Sequence, residues 1–245
     1  MRRFAIDLSP LKKYPDFRRL WLSGFISYFG TMITMVALPF QIKELTNSYL
    51  AVGAIGAVEL IPLIIFGLYG GVLADRYDRK KLIWVSEFGS MVLTTALLIN
   101  SILPQPSLLA IYVIAALFSA VDGLQRPSSN AILPRLVDHD DLPSANALMS
   151  IRWQSGVIIG PAVGGLIIAS YSTSLGYVID VLTYAISLIF LARVKNVPAT
   201  EKSEKPAISA LFEGVRYAFS RKDLLGTYLI DLAAMFFAMP NALFP

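Results

Sequence analysis

Six long blocks of apolar residues constrain the fold of this chain more than any other feature. They lie at 20–41, 50–73, 82–103, 108–132, 144–171 and 175–194. Each block reaches the roughly 20 residues that an α-helix needs to cross the hydrocarbon core of a bilayer. The chain is also 56% hydrophobic and only 16% charged, which is far from the composition of soluble domains. The sequence therefore predicts an all-α membrane protein built on a bundle of six transmembrane helices.

The segments outside these blocks divide the chain into further regions. Residues 1–19 are predicted to form a basic cytoplasmic tail, 20–194 the six-helix bundle, and 195–223 a polar linker between domains. The segment 224–245 is still apolar where the sequence stops, which predicts a truncated seventh transmembrane helix and a missing C-terminal half. Within the linker, apolar residues at helical spacing predict an amphipathic helix that lies on the membrane or packs on protein. These residues are Ile208, Leu211, Phe212, Val215 and Phe219.

The basic residues are distributed unevenly between the two sides of the predicted bundle. If the N-terminus is cytoplasmic, 18 of the 21 Lys and Arg residues fall on the cytoplasmic side. Only Lys43 falls outside, and Arg126 and Arg152 lie within spans. Short cytoplasmic connections collect Lys and Arg, so we expect a cytoplasmic N-terminus and a location in the plasma or inner membrane. The same bias accounts for the net charge of +4, which therefore does not indicate a nucleic-acid partner.

Composition also limits the chemistry that the chain can carry out. It has no cysteine and a single histidine, His139, which lies in a polar turn and is expected to be solvated. Thiol catalysis, cysteine-ligated metals and histidine metal sites are thereby excluded. No Gly-x-x-x-x-Gly-Lys-Ser/Thr loop is present, which disfavours an ATP-driven subunit. We expect no cofactor and no metal, and an enzyme is disfavoured.

A glycine, acidic and basic pattern fills the short connection between the second and third spans. Its residues are Gly71, Asp75, Arg76, Arg79 and Lys80. A carboxylate and a guanidinium at a tight helix hairpin can form ion pairs that open and close, and glycine lets helices approach closely. This loop resembles the signature Gly-x-x-x-Asp-Arg/Lys-x-Gly-Arg-Arg/Lys of the major facilitator superfamily. Asp78 stands where that signature usually has glycine. An acidic residue at this position resembles the siderophore and macrolide exporters of the superfamily.

A second glycine pattern occupies the fifth span. It consists of Gly156, Gly160, Pro161, Gly164 and Gly165. Three of these glycines repeat every four residues and form a smooth face for helix contact, while the proline introduces a bend. The pattern resembles the Gly-x-x-x-Gly-Pro-x-x-Gly-Gly motif of antiporters in this superfamily, which favours efflux over uptake. A generic packing face of small residues is the alternative.

Five charged residues lie well inside predicted spans: Glu59, Asp122, Arg126, Arg152 and Asp231. Each costs about 2.5 to 3.5 kcal/mol at the centre of a transmembrane helix, so we expect them to face the bundle interior, a partner or water. Asp122 and Arg126 are four residues apart and either neutralise each other or take part in gating. Arg152 is predicted to pair with Asp122 or with Glu87.

Glu59 differs from the others because no basic residue lies within one helical turn of it. Burial without a cation favours the protonated form of a carboxyl group, which is a condition for carrying a proton. Glu59 is therefore a candidate for the proton or substrate pathway, with a hydrogen-bonded helix tie as the alternative. Asp231 is a similar candidate whose neighbours belong to the missing half. Asp180, near the outer end of the sixth span, is expected to be structural.

The resemblance implies a fold and a function. It predicts the N-terminal bundle of a major facilitator, built as a 3+3 inverted repeat that would rock against a second bundle. Within the superfamily, the resemblance is to the drug and siderophore exporters. The function implied is proton-driven efflux of a drug-like or siderophore-like small molecule. Substrate, protons, the lipid bilayer and the missing C-terminal half are the expected partners. A truncated fragment without transport activity remains the main alternative, followed by a membrane-embedded enzyme.

Overall fold

The protein is described here by a computed structural model covering residues 7–198 and Arg216, Ser220, Arg221, Gly226, Thr227 and Ile230. The described helices are α1 (Ser9–Lys13), α2 (Pro15–Thr46), α3 (Tyr49–Arg76), α4 (Arg79–Ser101), α5 (Leu108–Ile132), α6 (Leu142–Ser170) and α7 (Thr173–Ala192). Two 3-10 turns, Leu133–Arg135 and His139–Asp141, connect α5 to α6. Six of the helices, α2 to α7, are long and apolar enough to cross a membrane. The predicted fold class is confirmed.

Side-chain caps fix where most of the helices begin. The hydroxyl groups of Ser48, Ser107 and Ser172 each accept a hydrogen bond from the backbone three residues later, at the starts of α3, α5 and α7. Asp78 does the same for α4 by accepting from the Lys81 amide at 3.1 Å. Such caps satisfy amide groups that have no partner within the helix. Asn47, whose φ of 51° is left-handed, ends α2.

The helices pack mainly on partners that are distant in sequence. α2 lies against α6 and α7, α3 against α5, and α4 against both α5 and α7. Neighbours within each half of the bundle, such as α3 and α4, touch only slightly. The two three-helix halves, α2 to α4 and α5 to α7, are therefore interleaved, which agrees with the expected 3+3 inverted repeat.

Glycines set the closest of these helix contacts. A Cβ atom added to Gly70 of α3 would lie 2.7 Å from the carbonyl oxygen of Gly123 on α5. One added to Gly123 would lie 2.8 Å from the amide nitrogen of Gly67. Both distances are too short for a side chain, and the atoms met belong to the backbone. The crossing of α3 and α5 thus depends on this glycine pair.

One end of the bundle, which we call the basic end, carries the start of the chain, the turn between α3 and α4, the loop 133–141 and residues 193–198. Lys13 contacts Asp141 there at 2.7 Å, and this hydrogen bond raises the pKa of Lys13 above its usual range. The Tyr14 hydroxyl donates to Asp138 at 2.8 Å. Beneath them Phe17 is fully buried against the loop 133–141 and the start of α6. The N-terminal segment is therefore fastened to the start of the second repeat.

Candidate functional site

Three charged side chains lie together midway along α3 and α5. The side chains of Asp122 and Arg126 form an ion pair at 2.7 Å, yet remain 45% and 66% exposed. Glu59 is half-buried nearby on α3, close enough to Asp122 for electrostatic repulsion. Within the described part of the chain, no hydrogen bond or ion pair reaches the Glu59 carboxylate, although its backbone carbonyl accepts one from Ser119. We call these three residues the charged face.

Arg152 of α6 connects the charged face with the bundle interior. Its guanidinium group fills the space beside Gly24, where an added Cβ would lie 2.9 Å from Cζ. Arg152 interacts electrostatically with Glu87 and with Tyr28. Tyr28 also interacts electrostatically with Asp122 and Arg126. The Nε atom of Arg152 is buried and has no hydrogen-bond partner in the described chain. Of the two predicted partners, Glu87 interacts electrostatically with Arg152, but the two side chains form no ion pair in the described chain.

Glu87 of α4 is held inside the bundle by neutral donors. Only 5% of the residue is exposed. Its carboxylate accepts hydrogen bonds from Gln125 at 2.9 Å, from Ser187 at 2.9 Å and from Ser27 at 3.2 Å. The Ser187 hydroxyl also meets that of Ser23 at 2.7 Å. Three helices, α2, α5 and α7, thus contribute polar groups to one buried carboxylate on α4.

Asp180 of α7 is the centre of a second buried group and is fully shielded from solvent. Thr34 donates to its Oδ2 at 2.5 Å and Thr94 at 3.2 Å. Thr183, one turn along α7, lies 3.4 Å from Oδ1. The group fits because Gly30 has no side chain: a Cβ there would lie 2.5 Å from the same carboxylate oxygen. Asp180 lies two helical turns from the start of α7, where three threonines surround its carboxylate.

Two further hydrogen-bonded pairs of polar side chains lie between and beyond the carboxylates of Glu87 and Asp180. Thr31 and Tyr184 share a hydrogen bond of 2.7 Å, and the Tyr177 hydroxyl donates to Gln41 at 2.7 Å. All of these groups lie on the facing sides of α2, α4 and α7. We call this set the polar column; it comprises Ser23, Ser27, Thr31, Thr34, Gln41, Glu87, Thr94, Tyr177, Asp180, Thr183, Tyr184 and Ser187.

The predicted gating loop forms the tight connection between α3 and α4 at the basic end. Asp75 and Arg76 are exposed in the last turn of α3, and Lys80 is half-buried in the first turn of α4. Arg79 is buried, and its amide donates to the Val197 carbonyl at 3.0 Å. Asp78, with a φ of −60°, needs none of the freedom of glycine, and its carboxylate caps α4.

The glycines of the two motifs divide into packed and open positions. On α6, Gly156, Gly160 and Gly164 meet Tyr28, Met32 and Ile33 of α2, so the repeat every four residues is a helix contact. Pro161 lies within this helix. Cβ atoms added to Gly71 or Gly165 would meet nothing within 4 Å in the described chain. Gly70, and not Gly71, makes the close approach of α3.

The remaining predicted positions fall outside the described residues. They are Asp231, the segment 224–245 apart from Gly226, Thr227 and Ile230, and the amphipathic linker residues 208–219 apart from Arg216. His139 lies exposed in its 3-10 turn, as expected. The polar column was missed as a unit because its members come from three distant segments. The spacing of Ser23, Ser27, Thr31 and Thr34 along one face of the first span was its only signal in the sequence.

Comparison with known proteins places this architecture. The family model described as transmembrane secretion effector matches residues 5–244. The chain is 30% identical over 242 residues to the enterobactin exporter EntS of Salmonella choleraesuis strain SC-B67, covering 99% of this chain and 58% of the relative. It is 31% identical over 214 residues to EntS of Shigella boydii serotype 18, covering 87% of this chain and 51% of the relative. The chain thus spans a little over half the length of these relatives.

Solved structures show the same fold at low identity. A mutant of the peptide transporter POT in complex with sulfate superposes with a TM-score of 0.68 at 18% identity, covering 95% of this chain and 48% of that one. A POT family transporter in complex with a thioalcohol conjugated peptide gives 0.64 at 16% identity, covering 88% and 47%. With interleaved repeats, six spans and a family match over nearly its whole length, the chain belongs to the transmembrane secretion effectors of the major facilitator superfamily.

Proposed function

We propose that this chain forms the N-terminal half of an exporter that couples proton influx to the efflux of a small molecule by alternating access. In this proposal the six-helix bundle rocks against a second bundle supplied by the rest of the gene product. Substrate would bind between the two bundles, where the charged face is presented.

The exposed charged face is the observation that carries the proposal. Asp122 lies near the middle of α5 and Arg126 one turn further along, and more than two-fifths of each side chain is uncovered. Against lipid, such charges cost about 2.5 to 3.5 kcal/mol each at a helix centre. Water in a transport cavity, or a second protein domain, removes that cost. A cavity between two bundles provides both.

The substrate class follows from the exporter relatives and from the chemistry of this face. The exposed Arg126 offers a cationic group to an anionic or catechol-rich compound, and the half-buried Tyr28, which interacts electrostatically with Arg126, adds an aromatic ring nearby. A siderophore such as enterobactin combines these features, so it is the first substrate to test. Reconstitution of the complete gene product into liposomes, followed by enterobactin efflux under an imposed pH gradient, tests both substrate and coupling. Efflux that is unaffected by the gradient would argue against proton coupling.

Orientation is part of the proposal, and the absence of native cysteine makes it measurable. We propose that the basic end faces the cytoplasm, because short cytoplasmic connections collect Lys and Arg. A cysteine at Tyr77, which is 58% exposed at the basic end, should react with a membrane-impermeant maleimide only from the inside. A cysteine at Tyr171, which is 77% exposed at the other end, should react only from the outside. Labelling of both from one side would refute this topology.

Replacement of Glu59 tests whether the charged face contributes to coupling. Glutamine keeps the size and hydrogen-bonding capacity of the side chain but cannot titrate. We therefore expect Glu59→Gln to lower efflux driven by a pH gradient by roughly tenfold or more, as the loss of a proton-transfer group does. The measurement is enterobactin efflux from proteoliposomes containing the complete gene product.

Two variants separate this role from packing. Glu44→Gln makes the same chemical change at an exposed position near the end of α2 and should leave efflux unchanged. Glu59→Ala removes the side chain altogether. If Glu59 only ties helices together, glutamine will be tolerated and alanine will be harmful, which is the opposite of the ranking expected here.

A further inference from the structure

The polar column extends almost the full thickness of a bilayer. Ser23 and Gln41, the first and last members on α2, are 18 residues apart. At 1.5 Å per residue they are separated by about 27 Å along the helix, against a hydrocarbon core of about 30 Å. From Ser23 to Thr34 each turn of α2 presents a hydroxyl group toward α4 or α7, and the Gln41 amide follows about two turns later. A polar stripe of this length is costly in a membrane helix unless it faces other polar groups.

Neutral groups would be enough to tie the helices together. Hydroxyl and amide side chains hydrogen bond across membrane helices without placing a charge in the membrane. The column nevertheless contains two carboxyl groups, Glu87 and Asp180, at 5% and 0% exposure. In the described chain neither group forms an ion pair, although Arg152 interacts electrostatically with Glu87. Burying an ionised carboxylate without a paired cation is far more expensive than burying an amide. A carboxyl group in this setting is therefore explained better by its ability to gain and lose a proton.

The groups around Asp180 are compatible with both of its protonation states. Thr34, Thr94 and Thr183 face it from α2, α4 and its own helix, and none of them carries a charge. The titratable groups that interact with it are Glu87 on α4 and the tyrosines Tyr177 and Tyr184 on α7. Hydroxyl groups donate and accept, so they can hydrogen bond to a carboxylate and, by rotating, to a protonated acid.

The groups around Glu87 connect the column to the charged face. Arg152 on α6, together with Asp180 and Tyr184 on α7, are the titratable or charged groups that interact with it, and Gln125 of α5 donates to it. Loss of a proton from Glu87 would create a negative charge that attracts the Arg152 guanidinium group. Arg152 also interacts electrostatically with Tyr28 of α2, and Tyr28 interacts with Asp122 and Arg126. The charge state of Glu87 is therefore linked to the charged face through Arg152 and Tyr28.

The column is interrupted, which suits coupled transport better than a leak. Its hydrogen bonds form one group around Glu87 and another around Asp180, with the Thr31 and Tyr184 pair between them. In the described chain Tyr184 interacts with Asp180 electrostatically, without a direct hydrogen bond between their side chains. The Thr31 hydroxyl also lies 2.9 Å from the Ser27 carbonyl oxygen, to which it donates, so Thr31 can donate to Tyr184 only by giving up that bond. Transfer between the two carboxyl groups therefore requires movement of Tyr184 or its neighbours.

We propose that the polar column is a proton path through the interior of this bundle, with Asp180 and Glu87 as its two proton-binding groups. A proton enters at the side of the membrane that lies opposite the basic end. It passes the hydrogen-bonded pair of Tyr177 and Gln41 and reaches Asp180. It passes by way of Tyr184 and Thr31 to Glu87 and leaves toward the basic end past Ser187 and Ser23. Each step transfers one proton between oxygen atoms, and no oxidation occurs. This inference rests on the proposed function because it identifies the route of the coupling ion.

Infrared difference spectroscopy of the chain in lipid nanodiscs tests the proton-binding groups without any substrate. On a change from acidic to alkaline pH, a carboxylic acid C=O band that shifts in deuterium oxide should disappear and return on reversal. Asp180→Asn and Glu87→Gln should each remove one component of this band. Asp140→Asn, in the exposed 3-10 turn, and Glu44→Gln make the same changes outside the column and should leave these components in place.

Transport by the complete gene product in proteoliposomes tests the path. Asp180→Asn should lower pH-driven enterobactin efflux by roughly tenfold or more while exchange at equal pH stays within about twofold of wild type. Tyr184→Phe, which keeps the ring and both carboxyl groups, should lower driven efflux in the same selective way. A variant that fails to fold would lose both modes, in which case Tyr184→Phe decides.

The outcomes distinguish this inference from the function on which it rests. An Asp180 component that never titrates, or driven efflux retained in Asp180→Asn and Tyr184→Phe, would overturn the proton path while leaving the exporter proposal intact. A wild-type protein that exchanges enterobactin but ignores the pH gradient would overturn proton coupling and the path together. Titration of both carboxyl groups with selective loss of driven efflux supports the path.

Discussion

Replacing Gly123 with valine is expected to prevent stable assembly of the bundle. A Cβ at this position would lie 2.8 Å from the Gly67 nitrogen and 3.1 Å from the Leu63 carbonyl oxygen. These are backbone atoms of α3, which cannot rotate away as a side chain can, so the two helices must separate. Overpacking of an interior typically costs about 1–3 kcal/mol, and displacement of a whole helix places this variant at or above the upper value. Thermal unfolding in detergent and the yield of protein from membranes measure the effect.

Gly71→Val is the matched control for this prediction. It introduces the same side chain into α3, but the space around Gly71 is open to at least 4 Å in the described chain. We expect its stability to remain close to that of the original protein. Equal losses of stability in the two variants would show that valine disturbs these helices wherever it is placed, and would remove the special role of the crossing at Gly123.

Loss of the Asp75 charge is expected to abolish efflux by the complete gene product. Asp75 is exposed in the last turn of α3, and within the described chain no hydrogen bond or ion pair reaches its carboxylate. Its position at the basic end suits an ion pair with the second bundle that forms in only one gating state. Asp75→Asn keeps the shape but removes the charge, so protein should reach the membrane in normal amounts and fail to transport. Enterobactin efflux and membrane yield are the two measurements.

Asp78→Asn provides the comparison three residues away. Asp78 caps α4 through the Lys81 amide, and asparagine serves as well as aspartate at such a position. Efflux should therefore survive this change. If Asp75→Asn transports normally, the carboxylate has no gating role, and if both variants fail, the loop responds to any loss of negative charge.

The six spans were predictable because hydropathy and length define them, whereas their ends depend on local caps. The first helix was expected to begin at residue 20, but α2 begins at Pro15, where proline is favoured at a helix start. α3 was expected to end at residue 73 but continues to Arg76. Only Tyr77 and Asp78 then separate it from α4, which Asp78 caps. Apolar content does not detect such polar extensions of a helix.

The partners of buried charges were harder to predict because they lie far away in sequence. The Asp122 and Arg126 pair was visible from its spacing of four residues. By contrast, Asp180 receives hydrogen bonds from Thr34 and Thr94, which lie in the first and third spans. A sequence gives the depth of each residue along its own helix, but the rotation of one helix about its neighbours is set by packing. Gly30 is an example: it leaves room for the Asp180 carboxylate because it has no side chain, yet the two residues are 150 positions apart in the sequence.

The interleaving of the two repeats has a consequence for how the chain is made. Because α2 to α4 find most of their packing partners in α5 to α7, the first three spans enter the bilayer before their final neighbours have been synthesised. During that interval Glu87 lacks both Gln125 and Ser187, the nearest donors that later hold it. The early helices must therefore remain at the translocation machinery, or wait in lipid with this carboxyl group protonated. Assembly can be completed only when α7 arrives, so the last span of the bundle sets the time at which the first becomes stable.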